Sequence, residues 1–278
     1  MSRPVKDYRS RTKVAVRMVM NGILDVKEAE QVLIIFVWIR MAWHNEFLLW
    51  NATDFCGLER IYIDKQSLWK PDVLIEETLD KNKAPTGPYL QIKNDGWVSI
   101  TENNVVISAC RMDVYRFPFD IQSCNISFKS IMYRYTEIES LFTHNNTLIM
   151  KRNTKMIRTQ FEWWFLNMSA INETDRDGFT RIVYTITMKR RPALYIVNFL
   201  LPVLFFLCLD LASLLISDTS GEKLSYKITV LLAVTLMQIL LNEILPSSDN
   251  IPLICKEALR LTLIRPSYLL YMTKNSSN

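Results

Sequence analysis

Cys110 and Cys124 enclose Arg-Met-Asp-Val-Tyr-Arg-Phe-Pro-Phe-Asp-Ile-Gln-Ser, a span that can close into a compact loop through a disulfide. Phe117-Pro118-Phe119-Asp120 inside it is a turn by its chemistry. Proline presets φ there, and the flanking phenylalanines give the loop tip an apolar face. Asn125-Ile126-Ser127 follows directly and is a glycan acceptor triplet. The pattern recurs at Asn51, Asn145, Asn167 and Asn172, all before residue 192. Disulfides and glycans both belong to the secretory route, so residues 1–191 read as extracellular. Cys208 lies within an apolar run, while Cys56 and Cys255 have no evident partner in the sequence. His44 and His144 are the only histidines, and no nucleophile–base or metal-ligand spacing accompanies them. An enzyme, a metal centre and a cofactor are therefore not expected.

The formal charge of +5 is spread among interspersed acids and bases, so no nucleic-acid partner is expected. Basic residues gather at Arg3, Lys6, Arg9, Arg11 and Lys13, and again at Lys189-Arg190-Arg191, just before a long apolar segment. The second group reads as a membrane boundary.

The elements that position these residues follow from hydrophobic periodicity. Val14, Val16, Met18 and Met20 alternate on one face, as do Cys124, Ile126 and Phe128, and Ile182, Tyr184, Ile186 and Met188. Leu33 to Ile39 is apolar on both faces, as a central strand would be. Turn clusters at 85–88, 94–96 and 175–178 separate the runs. Residues 1–191 thus predict an Ig-like antiparallel β-sandwich. Beyond it, 192–216 is long and apolar enough to cross a bilayer as a helix, with Pro192 and Pro202 tolerated at its start and as a kink. The second apolar segment, within 222–243, carries Glu222, Ser225, Thr229, Leu232, Leu236, Ile239 and Glu243 at steps of three or four, on one helical face. Such a stripe is either a helix–helix contact or the lining of a pore, and periodicity alone leaves the two even.

From about Arg3 to Ile254 the chain resembles a subunit of the Cys-loop ligand-gated ion channels, and within that family the serotonin type-3 receptors. The resemblance rests on Arg3-Pro4-Val5-Lys6-Asp7-Tyr8, Trp43 through Trp50, Trp69-Lys70-Pro71-Asp72-Val73-Leu74-Ile75 and the cysteine loop. Arg190-Arg191-Pro192 and Ser220-Gly221-Glu222-Lys223-Leu224-Ser225-Tyr226-Lys227-Ile228-Thr229 complete it, in the family's order. It implies a homo- or hetero-pentamer set in the lipid of the plasma membrane, with a small cationic, serotonin-like agonist as ligand. Glu222 and Glu243 would form carboxylate rings at the two ends of a cation-selective pore, Ser225 and Thr229 its narrow part, and Leu232 and Leu236 its hydrophobic constriction. Phe117, Pro118, Phe119 and Asp120 would press on the loop near Pro246 to Pro252, and Arg190 and Arg191 would act at the same junction. Interfacial anchoring is the alternative for the two arginines.

At the agonist site the resemblance implies Trp38 and Arg40 on a complementary strand, Trp163 on a binding-face strand, and Glu76 and Glu77 beside them. Ile131 stands where the family carries the central tryptophan of its aromatic cage, with Tyr133 or Tyr135 as a partial substitute and Phe179 on the hairpin tip. Thr101 and Gln91 fall where tyrosines are expected, whereas Trp43 and Trp50 read as core. After Cys255, Lys256, Glu257 and Arg260 interrupt the place of a third apolar segment, so 255–278 reads as a divergent tail. With Met1 to Lys6 lacking an apolar leader, the sequence reads as an incomplete chain. The readings that follow are a channel subunit, a truncated subunit that modulates full-length partners, and a ligand-binding module.

Overall fold

The computed structural model describes residues 2–81, 87–141 and 162–212, together with Ser225, Ile228, Thr229, Leu232, Ala233, Thr235, Leu236 and Ile239. The first apolar alternation becomes β1 (Thr12–Lys27), antiparallel to β2 (Val32–His44). The chain continues through β3 (Arg60–Asp64), β4 (Val73–Ile75), β5 (Thr78–Lys81), β6 (Tyr89–Lys93) and β7 (Trp97–Ala109). It then forms β8 (Ile121–Ser130), β9 (Ile138–Leu141), β10 (Trp163–Thr174) and β11 (Thr180–Arg190). Seven strands make one sheet in the order β3-β6-β7-β2-β1-β9 with β5 beside β7, and four make a second, β10-β11-β8-β4. This is the expected β-sandwich, with one departure. β9 pairs with β1 in parallel, Thr12 opposite Ile138 through Ala15 opposite Leu141, so the sandwich is not wholly antiparallel.

The core forms where the alternation places it. Val14, Val16, Met18 and Met20 are buried, as are Cys124, Ile126 and Phe128, and Ile182, Tyr184, Ile186 and Met188. β2 differs from its expectation. Leu33, Ile35, Val37 and Ile39 are buried, but Ile34 and Phe36 are half-buried and Trp38 is exposed, because only one face of the sheet is covered within a single chain. Trp43 is buried and meets Trp69 edge-to-face at 6.1 Å, whereas Trp50 is half-buried with its indole N–H donating to the Leu58 carbonyl. The turn at 94–96 requires its glycine. Gly96 has φ +83°, and a Cβ there would stand 2.8 Å from the Asn45 carbonyl oxygen and 2.9 Å from His44 Nε2.

Tyr184 links the two sheets. β9 covers only Thr12 to Ala15 of β1, so backbone groups beyond it would lie open along that edge. The Tyr184 hydroxyl donates to the Val16 carbonyl and accepts from the Met18 N–H, each at 3.2 Å. Burial pushes its pKa up to about 12, so it remains a neutral donor across the physiological range.

Contacts gather the chain into two compact units: 1–27, 32–111 and 123–188 form one, and 28–31, 112–122 and 189–278 the other. In the second, Ala193–Tyr195 and Leu201–Ala212 are α-helical, and Ile196–Leu200 between them is a π stretch. The widening precedes Pro202, which has no N–H for the carbonyl of Asn198. Among the described residues no helix is long and apolar enough to cross a membrane.

Tyr184→Phe removes the hydroxyl from two buried backbone groups without changing side-chain shape. The expected loss is about 1–3 kcal/mol of stability, read as a lower denaturant midpoint with unchanged slope for the full chain in detergent.

Candidate functional site

Two groups of side chains stand out, one in each unit. In the second unit Arg190 is wholly buried at the end of β11. Its Nε donates to Asp120 Oδ1 at 2.8 Å and its Nη2 to Asp120 Oδ2 at 3.2 Å, a forked pair. Nη1 donates to Glu28 Oε1 and, at 3.3 Å, to the Tyr195 hydroxyl. The Phe117 ring stacks against the same guanidinium at 4.9 Å and meets Tyr195 edge-to-face, also at 4.9 Å. Asp120 is steadied by Gln122, whose amide donates to Asp120 Oδ2 at 2.6 Å and to the Asp113 carbonyl at 2.7 Å. Burial opposes the charge on Arg190, but its hydrogen bond to Asp120 and the two nearby carboxylates outweigh that and raise its pKa further. The guanidinium is therefore always charged.

Three chain segments meet on this one cation: the turn holding Glu28, the loop 112–122, and the start of the helix at Tyr195. The loop's ends are joined by the Cys110–Cys124 disulfide, with 5.3 Å between Cα atoms. The two phenylalanines of the loop do not share a face as expected. Phe117, before a cis proline, is buried against Arg190, while Phe119 is 55% exposed. A single turn cannot point both rings at one cation.

In the first unit, Lys129 on β8 gathers the second group. Its Nζ lies 3.0 Å from Asp175 Oδ2, 3.4 Å from Glu76 Oε1 and 5.1 Å from the centre of the Phe179 ring. Arg181 adds ion pairs to Glu76 at 3.4 Å and to Glu173 at 2.8 Å. The Lys129 hydrogen bond lowers the pKa of Asp175, helped by the Arg176 N–H, and that same hydrogen bond raises the pKa of Lys129. A lowered carboxyl pKa contributes stability above its ordinary value and loses it as pH falls. This pairing accordingly persists at about pH 5 and is lost only below about pH 4.

Next to it, Asp72 shapes the turn after β8. It accepts from Ser130 Oγ at 2.6 Å, from the Ile131 N–H at 3.0 Å and from the Met132 N–H at 2.6 Å. The turn sets Tyr133 edge-to-face on Trp69 and leaves Ile131 64% exposed.

Residues 1–192 match the family model described as the neurotransmitter-gated ion-channel ligand binding domain. The chain belongs to the neurotransmitter-gated ion-channel family. It is 33% identical over 252 residues to the 5-hydroxytryptamine receptor 3A of Cavia porcellus, covering 88% of this chain and 51% of that receptor. With the 5-hydroxytryptamine receptor 3E of Homo sapiens the identity is 32%, over 91% of this chain and 56% of the receptor. With the neuronal acetylcholine receptor subunit alpha-9 of Homo sapiens it is 32%, over 91% and 53%. The chain spans about half the length of the relatives it matches. It is a Cys-loop receptor chain similar to serotonin type-3 subunits, in a family of channels and not of enzymes.

Within this neurotransmitter-gated domain, the residues expected at the agonist site fall into separate groups. Trp38, 37% exposed, and Arg40, whose Nη2 donates to Ser99 Oγ, lie on the seven-stranded sheet. Glu76 and Phe179 join Lys129 beside the four-stranded sheet. Three of the expected residues are engaged within the domain. Trp163 is 1% exposed, since the alternation of β10 turns it inward and presents Trp164, 46% exposed, instead. Glu77 is engaged by the backbone, its Oε2 accepting from the Ser127 N–H at 2.7 Å. The Tyr133 hydroxyl accepts from the indole N–H of Trp69 at 3.5 Å.

Of the expected pore residues, Ser225, Thr229, Leu232 and Leu236 are helical and exposed on one face, while Glu222 and Glu243 lie outside the described residues. So do Asn145, the segment from Pro246 to Pro252 and the tail 255–278. The acceptor asparagines Asn51, Asn125, Asn167 and Asn172 are all exposed. Arg191 is half-buried.

Sequence reasoning missed Glu28, Gln122, Tyr195 and Lys129. Glu28 sits in a polar turn that composition marks as ordinary surface, and no signal in the sequence pairs it with Arg190.

Arg190→Met leaves two buried carboxylates without their cation. The expected loss is about 3–5 kcal/mol, read by thermal unfolding of the full chain. Arg190→Lys keeps the charge but not the fork and should fall between.

Proposed function

We propose that this chain is a subunit of a cation-selective pentameric channel in the plasma membrane, opened by a small cationic agonist of serotonin-like chemistry bound to its extracellular domain. The observation that carries this reading is the Arg190 cluster. One buried cation ties the disulfide-closed loop, the Glu28 turn and the start of the first apolar helix at Tyr195. A movement of the loop cannot leave the helix start undisturbed without breaking a buried ion pair. That is the mechanical requirement for coupling a binding domain to a pore, with Phe117, Pro118, Phe119, Asp120, Arg190 and Arg191 as the transmitting residues.

The rest of the reading is consistent with it. Trp38 and Arg40 occupy one sheet and Glu76 and Phe179 the other, so the two half-sites of neighbouring subunits would complete each other in a homo- or hetero-pentamer. The half-exposed apolar face of β2 supports such pairing, since the described residues cover it only in part. The apolar segments 192–216 and 222–243 would cross the lipid bilayer, the second lining the pore, with Glu222 and Glu243 concentrating cations and Leu232 and Leu236 forming the constriction. Asn51, Asn125, Asn145, Asn167 and Asn172 would carry glycans on the outer side.

A second reading is favoured by Ile131. Where the resemblance implies an aromatic cage residue, this exposed side chain is aliphatic and offers no π face to a cation. The chain would then join complete subunits and retune their response.

Co-expression of the tagged 278-residue chain with a complete serotonin type-3 subunit tests both. Co-purification in a pentamer is expected, with a serotonin-evoked cation current that Arg190→Gln in this chain alters. A chain that neither co-purifies nor changes the current sinks the subunit reading. Current from this chain alone would decide for the first reading over the second.

A further inference from the structure

We propose that Lys129 is a resident cation occupying an alkylammonium site formed by Phe179, Glu76 and Asp175, so that an amine ligand enters that site only by displacing it. The inference rests on the reading of this face as the agonist side of the subunit, and deepens it.

An aromatic face flanked by carboxylates is the arrangement that recognises an alkylammonium ion, the ring supplying its quadrupole and the acids their charge. Here both are already engaged by the chain itself. The Lys129 Nζ stands 5.1 Å from the Phe179 ring centre, within cation–π range, and bridges Asp175 and Glu76 at 3.0 and 3.4 Å. A lysine head is an alkylammonium, so the guest and the expected ligand share one chemistry. The neighbouring ring is filled in the same manner. Arg11 lies 5.3 Å from the centre of Tyr135, and Tyr135 is bonded through its N–H to the carbonyl of Gly178, the residue before Phe179.

The charge balance makes the guest exchangeable. Glu76, Asp175 and Glu173 face Lys129 and Arg181, three acids against two bases. Withdrawing Lys129 leaves Arg181 alone against the three, a deficit that an incoming ammonium restores. The strand holds the stem and frees the head. Phe128 and Ser130 on either side are buried, while Lys129 is half-exposed on a flexible stem. Arg190, wholly buried and forked onto Asp120, has no such freedom.

The test is calorimetric titration of choline into the full chain in detergent. Lys129→Met is expected to bind choline about tenfold more tightly than the unaltered chain, the worth of one cation–π contact. Lys129→Arg, which keeps a cation over the ring, should bind no better than the unaltered chain. Equal affinities for the unaltered chain and Lys129→Met, or no binding by either, would overturn the proposal. A check that needs no substitution of the lysine is the carbon-13 methyl resonance of reductively methylated Lys129. It should lie upfield through the Phe179 ring current and return in Phe179→Leu; an unmoved resonance also sinks the idea. Co-purification with a complete serotonin type-3 subunit separates the two readings. Tighter choline binding by a chain that neither co-purifies nor changes the current supports the resident cation and counts against the channel subunit. Co-purification without tighter binding refutes the resident cation alone.

Discussion

A guanidinium buried beyond the reach of water must be surrounded by acceptors, and a loop, a turn and a helix start of the second unit meet that demand. Arg190 is reached by Asp120 from the loop 112–122 and by Glu28 from the turn between β1 and β2, with the Tyr195 hydroxyl completing the set. Removing both acids would strand the charge, since an uncompensated buried ion is unstable by several kcal/mol, on the order of 3–5. The positions of loop, turn and helix start are therefore not independent. Gln122 extends the same constraint by holding Asp120 to the loop's own backbone at Asp113. Phe117 closes the apolar side of the cation, which explains why one phenylalanine of the loop tip is buried and the other is not.

Lys129 meets its acids under opposite conditions. Its partners are half-exposed and water remains close, so each ion pair contributes little net stability and exchanges readily. The two cations divide the chemistry of the chain accordingly. Where burial is complete, charge fixes geometry. Where burial is partial, charge sets what may approach, and the ring of Phe179 adds an attraction for an organic cation over its face.

How much of this was legible in the sequence follows from the range of each interaction. Period-two alternation is local, and it placed Val14 to Met20 and Ile182 to Met188 on the core face without error. The turn at Gly96 and the Cys110–Cys124 closure were likewise readable from neighbouring residues. The burial of Trp163 beside an exposed Trp164 was not readable, because family position gives a strand but not which of two adjacent tryptophans points inward. Partners of charges were not legible at all. Glu28 lies 162 residues from Arg190, and nothing in a Glu-Ala-Glu turn distinguishes a buried acid from a solvated one. The parallel pairing of β9 with β1 escaped for a similar reason, since alternation carries no strand direction.

The second apolar segment adds a feature that side-chain type alone conceals. Ser225, Thr229, Leu232, Leu236 and Ile239 are helical and lie within one exposed stripe. The Thr229 hydroxyl donates to the Ser225 carbonyl at 2.9 Å, and that of Thr235 to the Leu232 carbonyl at 2.8 Å. A hydroxyl has one proton and two lone pairs, so once the proton is engaged by the helix only acceptors remain to face outward. The Thr229 hydroxyl of the stripe therefore turns acceptor lone pairs outward, while Leu232, Leu236 and Ile239 add no polar atom to it. Polar and apolar positions are thus separated along one helical face.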